Sequence, residues 1–163
     1  MTSVGFCGGT SVLELGPASD MQVFFGCVEL AVALLPSGDG GLLTDRLYRR
    51  YLRLDQLDAA AKALEQVSDI LSAVPTKDID WASMHWNPAS TKLTLSAPTV
   101  DQVVDRYLRG AQKRIGGARS FEKRFRVYQP VMTIISDLPR FVIDEKRPLA
   151  EYDALEGEPM WLR

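Results

Sequence analysis

Apolar residues recur at helical spacing over residues 20–35, and this stretch predicts the helix around which the rest of the chain is organised. The apolar positions cover nearly the whole circumference of the helix. They are Met21, Val23, Phe24, Phe25, Cys27, Val28, Leu30, Val32, Leu34 and Leu35. A helix that is apolar on nearly all sides is expected to be covered by other elements. Ser19 and Gln22 have the spacing of a capping box, so we expect the helix to begin there.

Alternating apolar and polar positions predict short strands elsewhere in the chain. The predicted strands are residues 3–6, 11–15, 78–81, 91–96 and 140–144. Residues 121–138 stay open between helix and strand. Phe121, Phe125, Tyr128, Met132 and Ile135 keep a helical register that Pro130 kinks or starts, whereas residues 131–135 fit a β-branched strand, and periodicity does not decide between them. The terminal Met160-Trp161-Leu162 predicts a last strand or an anchor that docks on the protein.

Three further segments show the three- and four-residue spacing of amphipathic helices. They are residues 42–52, residues 55–74 before Pro75, and residues 99–115 before the pair Gly116-Gly117. Thr99 and Gln102 form a second potential capping box. The first two segments are expected to form an antiparallel helical hairpin packed on the central helix. The fold class predicted is α+β, a single domain over residues 1–163 with a central buried helix, this hairpin and a small, mostly antiparallel sheet.

Composition places the chain among ordinary globular proteins and excludes several function classes. Its 163 residues are 46% hydrophobic and 25% charged, with a net charge of −2, which does not by itself indicate a nucleic-acid partner. Cys7 and Cys27 lie in apolar surroundings, typical of buried free thiols rather than a disulfide. With one histidine, His85, and no zinc spacing, no metal or cofactor is predicted. No basic stretch precedes an apolar one at the N-terminus, so we expect a cytoplasmic protein that does not enter a membrane.

Two groups of basic residues need an explanation. Four arginines, Arg46, Arg49, Arg50 and Arg53, are predicted to lie on the outer face of the segment 42–52 and its end, solvated and paired with nearby aspartates. Residues 106–126 contain eight lysines and arginines against one acid, Glu122. Such a stripe could follow a phosphate backbone, so a nucleic-acid-associated protein is the alternative function. It carries no helix-turn-helix pattern, and its aromatic residues fall at core spacing.

The most suggestive surface lies between residues 78 and 88. Asp78 and Asp80 alternate with apolar residues, and Trp81 and Trp86 follow in a predicted aromatic-rich loop. Tryptophan is enriched at binding hot spots, although core packing explains these two equally well. His85 has no serine or cysteine nucleophile in a recognisable context, so we expect it to be packed or at the surface and predict no enzyme.

A series of spaced residues in the first half of the chain carries a family resemblance. The series comprises Val4-Gly5-Phe6, Phe24-Phe25, Leu47-Tyr48, the helical positions Ala60, Leu64, Val67 and Leu71, and Ile79-Asp80-Trp81. In this order the segments resemble those of a family of bacterial immunity proteins. These are small cytoplasmic antidotes of polymorphic toxins, including those of contact-dependent growth inhibition.

The resemblance implies a protein without chemistry of its own, which binds the C-terminal effector domain of its cognate toxin and occludes the active site or substrate groove. Many such toxins are nucleases, and a groove that holds phosphates must be basic. A partner that fills it is therefore expected to present carboxylates. The residues expected to contact the toxin are Asp78, Asp80, Trp81 and Trp86, together with the tail acids Glu151, Asp153, Glu156 and Glu158.

Overall fold

The alternating residues at the N-terminus form two antiparallel strands, β1 (Ser3–Gly8) and β2 (Ser11–Pro17), as predicted. The structure, a computed structural model, describes residues 3–8, 11–36, 38–122, 132–136 and 159–162. Strand β3 (Tyr51–Leu52) and strand β4 (Met132–Ser136) complete a sheet of order β2-β1-β4-β3, in which all neighbouring strands are antiparallel. Within the segment 121–138, residues 132–136 are therefore a strand, because both edges find a partner, and residues 121 and 122 end the helix Asp105–Glu122. Residues 123–131, 137 and 138 lie outside the described residues.

Helices α1 (Ala18–Val32), α2 (Leu54–Ser72), α3 (Val100–Val103) and α4 (Asp105–Glu122), with short 3₁₀ and π turns, make the fold α+β as predicted. No helix in the described ranges combines the length and apolar character needed to cross a bilayer. Helix α4 lies directly on the sheet at Gly8, where a Cβ atom would stand 2.2 Å from the carbonyl oxygen of Arg114. Only glycine permits this close approach.

Helix α1 supplies much of the core. Its buried side chains are Asp20, Met21, Val23, Phe24, Phe25, Cys27, Val28 and Ala31. The ring of Phe24 meets Phe6 edge-on at 6.4 Å and stacks on Tyr107 at 5.8 Å, which ties the helix to the sheet and to α4. The prediction of cover on nearly all sides is wrong at the C-terminal end, because Leu30 is 49% exposed and the helix ends at Val32, which leaves Leu34 beyond it and 69% exposed.

Two helix ends differ from the predicted ones. Helix α1 begins at Ala18 after Pro17, without a side-chain cap, so the Ser19 and Gln22 capping box is wrong. The extended backbone of Pro17 turns the chain directly into the first helical residue. Helix α4 runs through Gly116-Gly117 instead of stopping there. Buried Ile115 and Ala118 flank the pair, and their packing outweighs the helix propensity cost of about 1 kcal/mol per glycine.

The interval between α3 and α4 also corrects a prediction. The segment 99–115 is predicted as one helix, but it is interrupted at Val104. Thr99 does occupy the N-cap position, yet it makes no side-chain cap bond. Its hydroxyl instead donates to the Asp101 carboxylate at 2.5 Å, which displaces the capping box predicted with Gln102.

The segment 42–52 is not a continuous helix, so the predicted helical hairpin is only half right. Residues Leu42–Leu47 form a π-helical segment, and Tyr51–Leu52 turn into strand β3 because they pair with Met132 and Thr133 of β4. This turn brings Arg50 inside, 1% exposed, where its carbonyl accepts the Thr133 hydroxyl. The prediction that Arg50 faces outward is therefore wrong. Helix α2 agrees with the prediction and ends before Pro75.

The terminal segment docks as an anchor rather than a strand. Met160–Leu162 form a 3₁₀ turn, and Trp161 is 3% exposed. Its indole nitrogen donates to the Tyr48 carbonyl oxygen at 2.7 Å, and the two rings meet edge-on at 5.9 Å. The predicted strand over 140–144 lies outside the described residues.

Neither cysteine forms a disulfide, as predicted; Cys27 is fully buried, whereas Cys7 is half-buried. Burial raises the pKa of the Cys27 thiol from 9.0 to about 12. Between these values the folded protein keeps a proton that the unfolded chain releases, so the free energy of unfolding must fall as the pH rises.

We expect Cys27 to contribute a loss of at most about 1.4 kcal/mol per pH unit between pH 9 and 12. Denaturant unfolding at a series of pH values measures this slope. Burial raises the pKa values of Cys7, Tyr48 and Tyr107 as well, so Cys27→Ala should reduce the slope rather than abolish it. Equal slopes for the variant and the parent would contradict the assignment.

Candidate functional site

The connection between α2 and α3, residues 73–99, is long but clamped at its base. The Thr76 amide donates to the Pro98 carbonyl at 3.0 Å, and the Thr76 hydroxyl donates to the Ala97 carbonyl at 2.6 Å. Pro75 and Thr99 form an isolated antiparallel bridge. Both ends of the connection are therefore held together next to the ends of α2 and α3.

Neither strand predicted in this connection forms. Residues 78–81 run from the last residue of one 3₁₀ turn, Thr76–Asp78, to the first residue of another, Trp81–Ser83, and residues 91–96 take no regular structure. The alternation reflects packing against the core instead, since Leu93 is buried and Leu95 half-buried. Burial of alternate side chains produces the same pattern in a loop as in a strand. Alternation by itself therefore does not imply a neighbouring hydrogen-bonded strand.

The clamp shapes an open, mainly apolar groove of about 540 Å³, called the tryptophan groove below. Its lining residues are Pro75, Thr76, Lys77, Ile79, Trp81, Leu95, Ala97 and Pro98. The Trp81 indole nitrogen donates to the Thr76 carbonyl at 3.0 Å, which fixes the ring in the groove wall. The half-buried Trp81 ring is thus positioned before any partner arrives.

Of the residues predicted to contact a partner, Trp81 lines this groove, and Asp78 and Asp80 are the sequence neighbours of its lining residue Ile79. Asp78 and Asp80 are exposed on either side of Ile79, and neither carboxylate makes a hydrogen bond or ion pair with the part of the chain that the structure describes. Trp86 is not among the lining residues, because it packs against the core, and its indole nitrogen is buried. The tail acids Glu151, Asp153, Glu156 and Glu158 lie outside the described residues.

The interior of the connection is held at Thr91 and Lys92 by Asp20, which the sequence suggests only as a helix start. Its carboxylate is 0% exposed and accepts the Thr91 hydroxyl at 2.8 Å, the Lys92 amide at 2.6 Å and the Tyr107 hydroxyl at 3.2 Å. Burial, the negative charge and the hydrogen bond of Asp20 raise the pKa of Tyr107. The sequence offers one signal for this buried role of Asp20, which is a carboxylate among apolar residues in the first turn of α1.

A second concavity, called the polar cleft below, lies between α1, the π-helical segment and the loop that carries His85. It has a volume of about 230 Å³ and is lined by Gln22, Phe25, Gly26, Glu29, Thr44, Asp45, Tyr48, Arg49 and His85. Met84 lies beside Gly26, where a Cβ atom would stand 3.7 Å from its sulfur. Sequence analysis misses the cleft because its residues come from three distant segments that only the tertiary structure joins.

Two of the four basic side chains that the structure describes in this stripe, Arg106 and Arg109, are engaged within the protein. The Arg106 side chain donates to the Leu15 carbonyl at 2.7 Å, and Arg109 pairs with Asp105 at 2.9 Å. Lys113 is exposed and Arg114 is half-buried. The side chains of residues 119–122 and all of residues 123–126 lie outside the described residues. The observed contacts therefore leave less free positive charge on α4 than the sequence suggests.

Within the described ranges, no three histidine, cysteine, aspartate or glutamate side chains cluster closely enough to hold a metal ion. His85 is exposed, in agreement with a surface position. Compared with known proteins, the chain matches no family model, no curated protein and no solved structure. Any functional assignment of the tryptophan groove or the polar cleft therefore rests on the geometry of its residues.

Proposed function

We propose that this protein is an immunity protein that binds the effector domain of a cognate bacterial toxin, a nuclease, and occludes its active site or substrate groove. The observation that carries the proposal is the tryptophan groove, an apolar groove with Trp81 in its wall and with the exposed residues Asp78 and Asp80 on either side of its lining residue Ile79. In this proposal the protein acts in the cytoplasm and by binding alone.

The chemistry of the groove suits a nuclease surface. A nuclease holds phosphates with lysine and arginine, and Asp78 and Asp80 would meet that positive charge in place of the nucleic acid. Opposite charges steer the encounter and speed association. Trp81 would then bury its ring against an apolar residue of the toxin, as tryptophan does at binding hot spots.

The rigidity of the groove also supports binding. The bonds from Thr76 to Ala97 and Pro98, and from Trp81 to Thr76, order the groove in the free protein. Side chains that are already ordered lose less conformational entropy when a partner binds. A preformed surface of this kind favours tight binding of one partner.

Co-purification tests the proposal most directly. The tagged chain is expressed with the effector domain encoded immediately upstream of its gene and purified at high salt. We expect a stoichiometric complex in which the effector is inactive. A chain that instead recovers nucleic acid at low salt, and no effector, would overturn the proposal in favour of the basic stripe of residues 106–126, because phosphate contacts weaken steeply with salt.

Reversing the two groove carboxylates should weaken the complex. We expect Asp78→Lys/Asp80→Lys to lower the affinity for the purified effector about tenfold to hundredfold, mainly through slower association at low salt. Surface plasmon resonance at two salt concentrations measures this effect. The matched control is Glu14→Lys/Glu65→Lys, which reverses two exposed acids on β2 and α2. Equal losses in both double variants would exclude the groove as the contact surface.

A further inference from the structure

We propose that the tryptophan groove binds an extended segment of the effector domain through main-chain hydrogen bonds, as the edge of a sheet binds an added strand. The segment lies antiparallel to residues 78–80. It places an apolar residue opposite Ile79 and a basic residue on each side of that apolar residue. The inference rests on the proposed function for the nature of the partner, whereas the backbone of the groove wall carries the mode of binding.

The groove wall contains an extended stretch between its two 3₁₀ turns. Ile79 has φ = −100° and ψ = 132°, which are strand values, and Asp80 follows with φ = −83° and ψ = 86°. Ile79 lines the groove and is half-buried, whereas Asp78 and Asp80 on either side of it are exposed. The main chain of a partner can therefore approach the backbone of this stretch from the solvent.

Two backbone groups of this stretch are open to such a partner. The Asp78 carbonyl and the Asp80 amide have no hydrogen-bond partner among the residues that the structure describes. Because Ile79 is extended, the carbonyl before it and the amide after it point to the same side. The Ile79 amide, which points to the other side, already donates to the Thr76 carbonyl at 3.3 Å. The open carbonyl and amide thus form the pair that one antiparallel neighbour satisfies.

The lining formed by Ala97 and Pro98 offers apolar surface but no open amide. The Ala97 amide already donates to the Thr94 carbonyl at 3.0 Å, and proline has no amide hydrogen. The Trp81 ring is fixed by its bond to Thr76. Main-chain recognition therefore falls to residues 78–80, and the rest of the groove accepts an apolar side chain.

The charges beside Ile79 favour a basic segment over a second copy of this chain. Two copies of the stretch, paired antiparallel about Ile79, would set Asp78 of one copy against Asp80 of the other. Like charges directly opposite each other destabilise paired strands, whereas opposite charges stabilise them. Lys77 also lines the groove, and its charge together with those of the two aspartates is −1. The lysines and arginines with which a nuclease holds phosphates have the complementary sign.

A peptide probe tests the inference on the full ¹⁵N-labelled chain. The probe is a capped pentapeptide with valine at its centre, lysine on each side and serine at each end. In the proposed register the second lysine donates its amide to the Asp78 carbonyl, while the valine amide points away. We expect saturable shifts at Ile79 and Asp80. N-methylation of the second lysine should weaken binding about threefold to tenfold, whereas N-methylation of the valine should leave it unchanged.

Two substitutions at one position separate the amide from the charge. Asp80→Pro removes the open amide, and both the φ of −83° at Asp80 and the extended conformation of Ile79 suit a proline there. Asp80→Ala removes the same charge and keeps the amide. We expect Asp80→Pro to bind the peptide about threefold to tenfold more weakly than Asp80→Ala, since it lacks one hydrogen bond more.

Four results would overturn the inference: equal affinities of the two Asp80 variants, equal weakening by the two N-methyl groups, no saturation by about 10 mM peptide, or a dimer of the free chain that the peptide dissociates. The failures are distinguishable. An effector complex of equal affinity in both Asp80 variants removes the main-chain pairing and keeps the immunity function. Peptide binding without any effector complex removes the toxin as partner and keeps the groove as a site for an extended basic segment.

Discussion

Phe24→Ala is expected to lower the free energy of unfolding by about 3–5 kcal/mol, the usual cost of deleting a fully buried phenylalanine ring. Phe24 is 0% exposed and touches aromatic rings from three elements: Phe6 of β1, Phe25 of α1 and Tyr107 of α4. Removing its ring leaves a cavity at the point where helix, sheet and α4 meet. Rigid neighbours on three sides cannot all collapse into that space, so the loss should fall in the upper part of the range.

Urea unfolding followed by circular dichroism measures this change. The matched control is Leu34→Ala, two residues beyond the end of the same helix, which removes a side chain that is 69% exposed and should change stability by less than about 0.5 kcal/mol. A loss below about 1 kcal/mol for Phe24→Ala would show that the core is not centred on this ring.

Asp20→Ala is expected to lower the free energy of unfolding by about 3 kcal/mol or more. The substitution removes the acceptor of three hydrogen bonds, and each buried donor left unsatisfied costs about 1–3 kcal/mol. The Thr91 hydroxyl can rotate towards another acceptor, but the Lys92 amide and the buried Tyr107 hydroxyl are held in place. The loss should therefore come mainly from these two donors.

Two milder variants separate the hydrogen bonds from the volume of the side chain. Asp20→Asn keeps one acceptor oxygen, and Tyr107→Phe removes one donor with its bond, so each should lose less than Asp20→Ala, with Tyr107→Phe near 1 kcal/mol. Hydrogen exchange of the Lys92 amide reports the local effect and should accelerate in Asp20→Ala. An unchanged exchange rate would show that Asp20 does not hold this loop.

The same carboxylate links stability to the tryptophan groove. Lys92 follows Thr91 in the connection that continues through Leu95 to the groove wall at Ala97 and Pro98. When the Asp20 carboxylate is removed, Thr91 and Lys92 lose their hydrogen bonds to α1. The groove wall at Ala97 and Pro98 then loses one of its attachments to the core. Asp20→Ala should therefore also weaken partner binding, without any direct contact between Asp20 and the partner.

The elements that the sequence predicts well are those whose stabilising contacts are local. The apolar stripe of helix α2 and the proline that follows its end, Pro75, lie within about twenty residues of sequence. The β1–β2 hairpin pairs residues that are close in sequence. The burial of α1 also follows from its composition. Trp161 is anchored because a large apolar ring at the end of a polar tail has to find cover.

The elements that the sequence does not predict depend on partners far along the chain. Tyr51 and Leu52 leave the helical pattern because β4, some 80 residues later, supplies their hydrogen bonds. Residues 91–96 alternate like a strand, but the Lys92 amide finds its acceptor in Asp20 instead of a neighbouring strand. In both places the hydrogen-bond partner of the backbone is a group that lies far away in the sequence. A local stretch of sequence does not contain that group and so cannot reveal it.

The candidate sites divide in the same way. The sequence by itself determined that Asp78, Asp80 and Trp81 stay close together, because three residues within four positions of the chain cannot move far apart. Only the tertiary structure decided that Leu95 and Pro98 complete a groove around Trp81, and that Glu29, Asp45 and His85 share a cleft. Residues on three separate segments come together only when the core beneath them has packed, and that packing is a property of the whole chain.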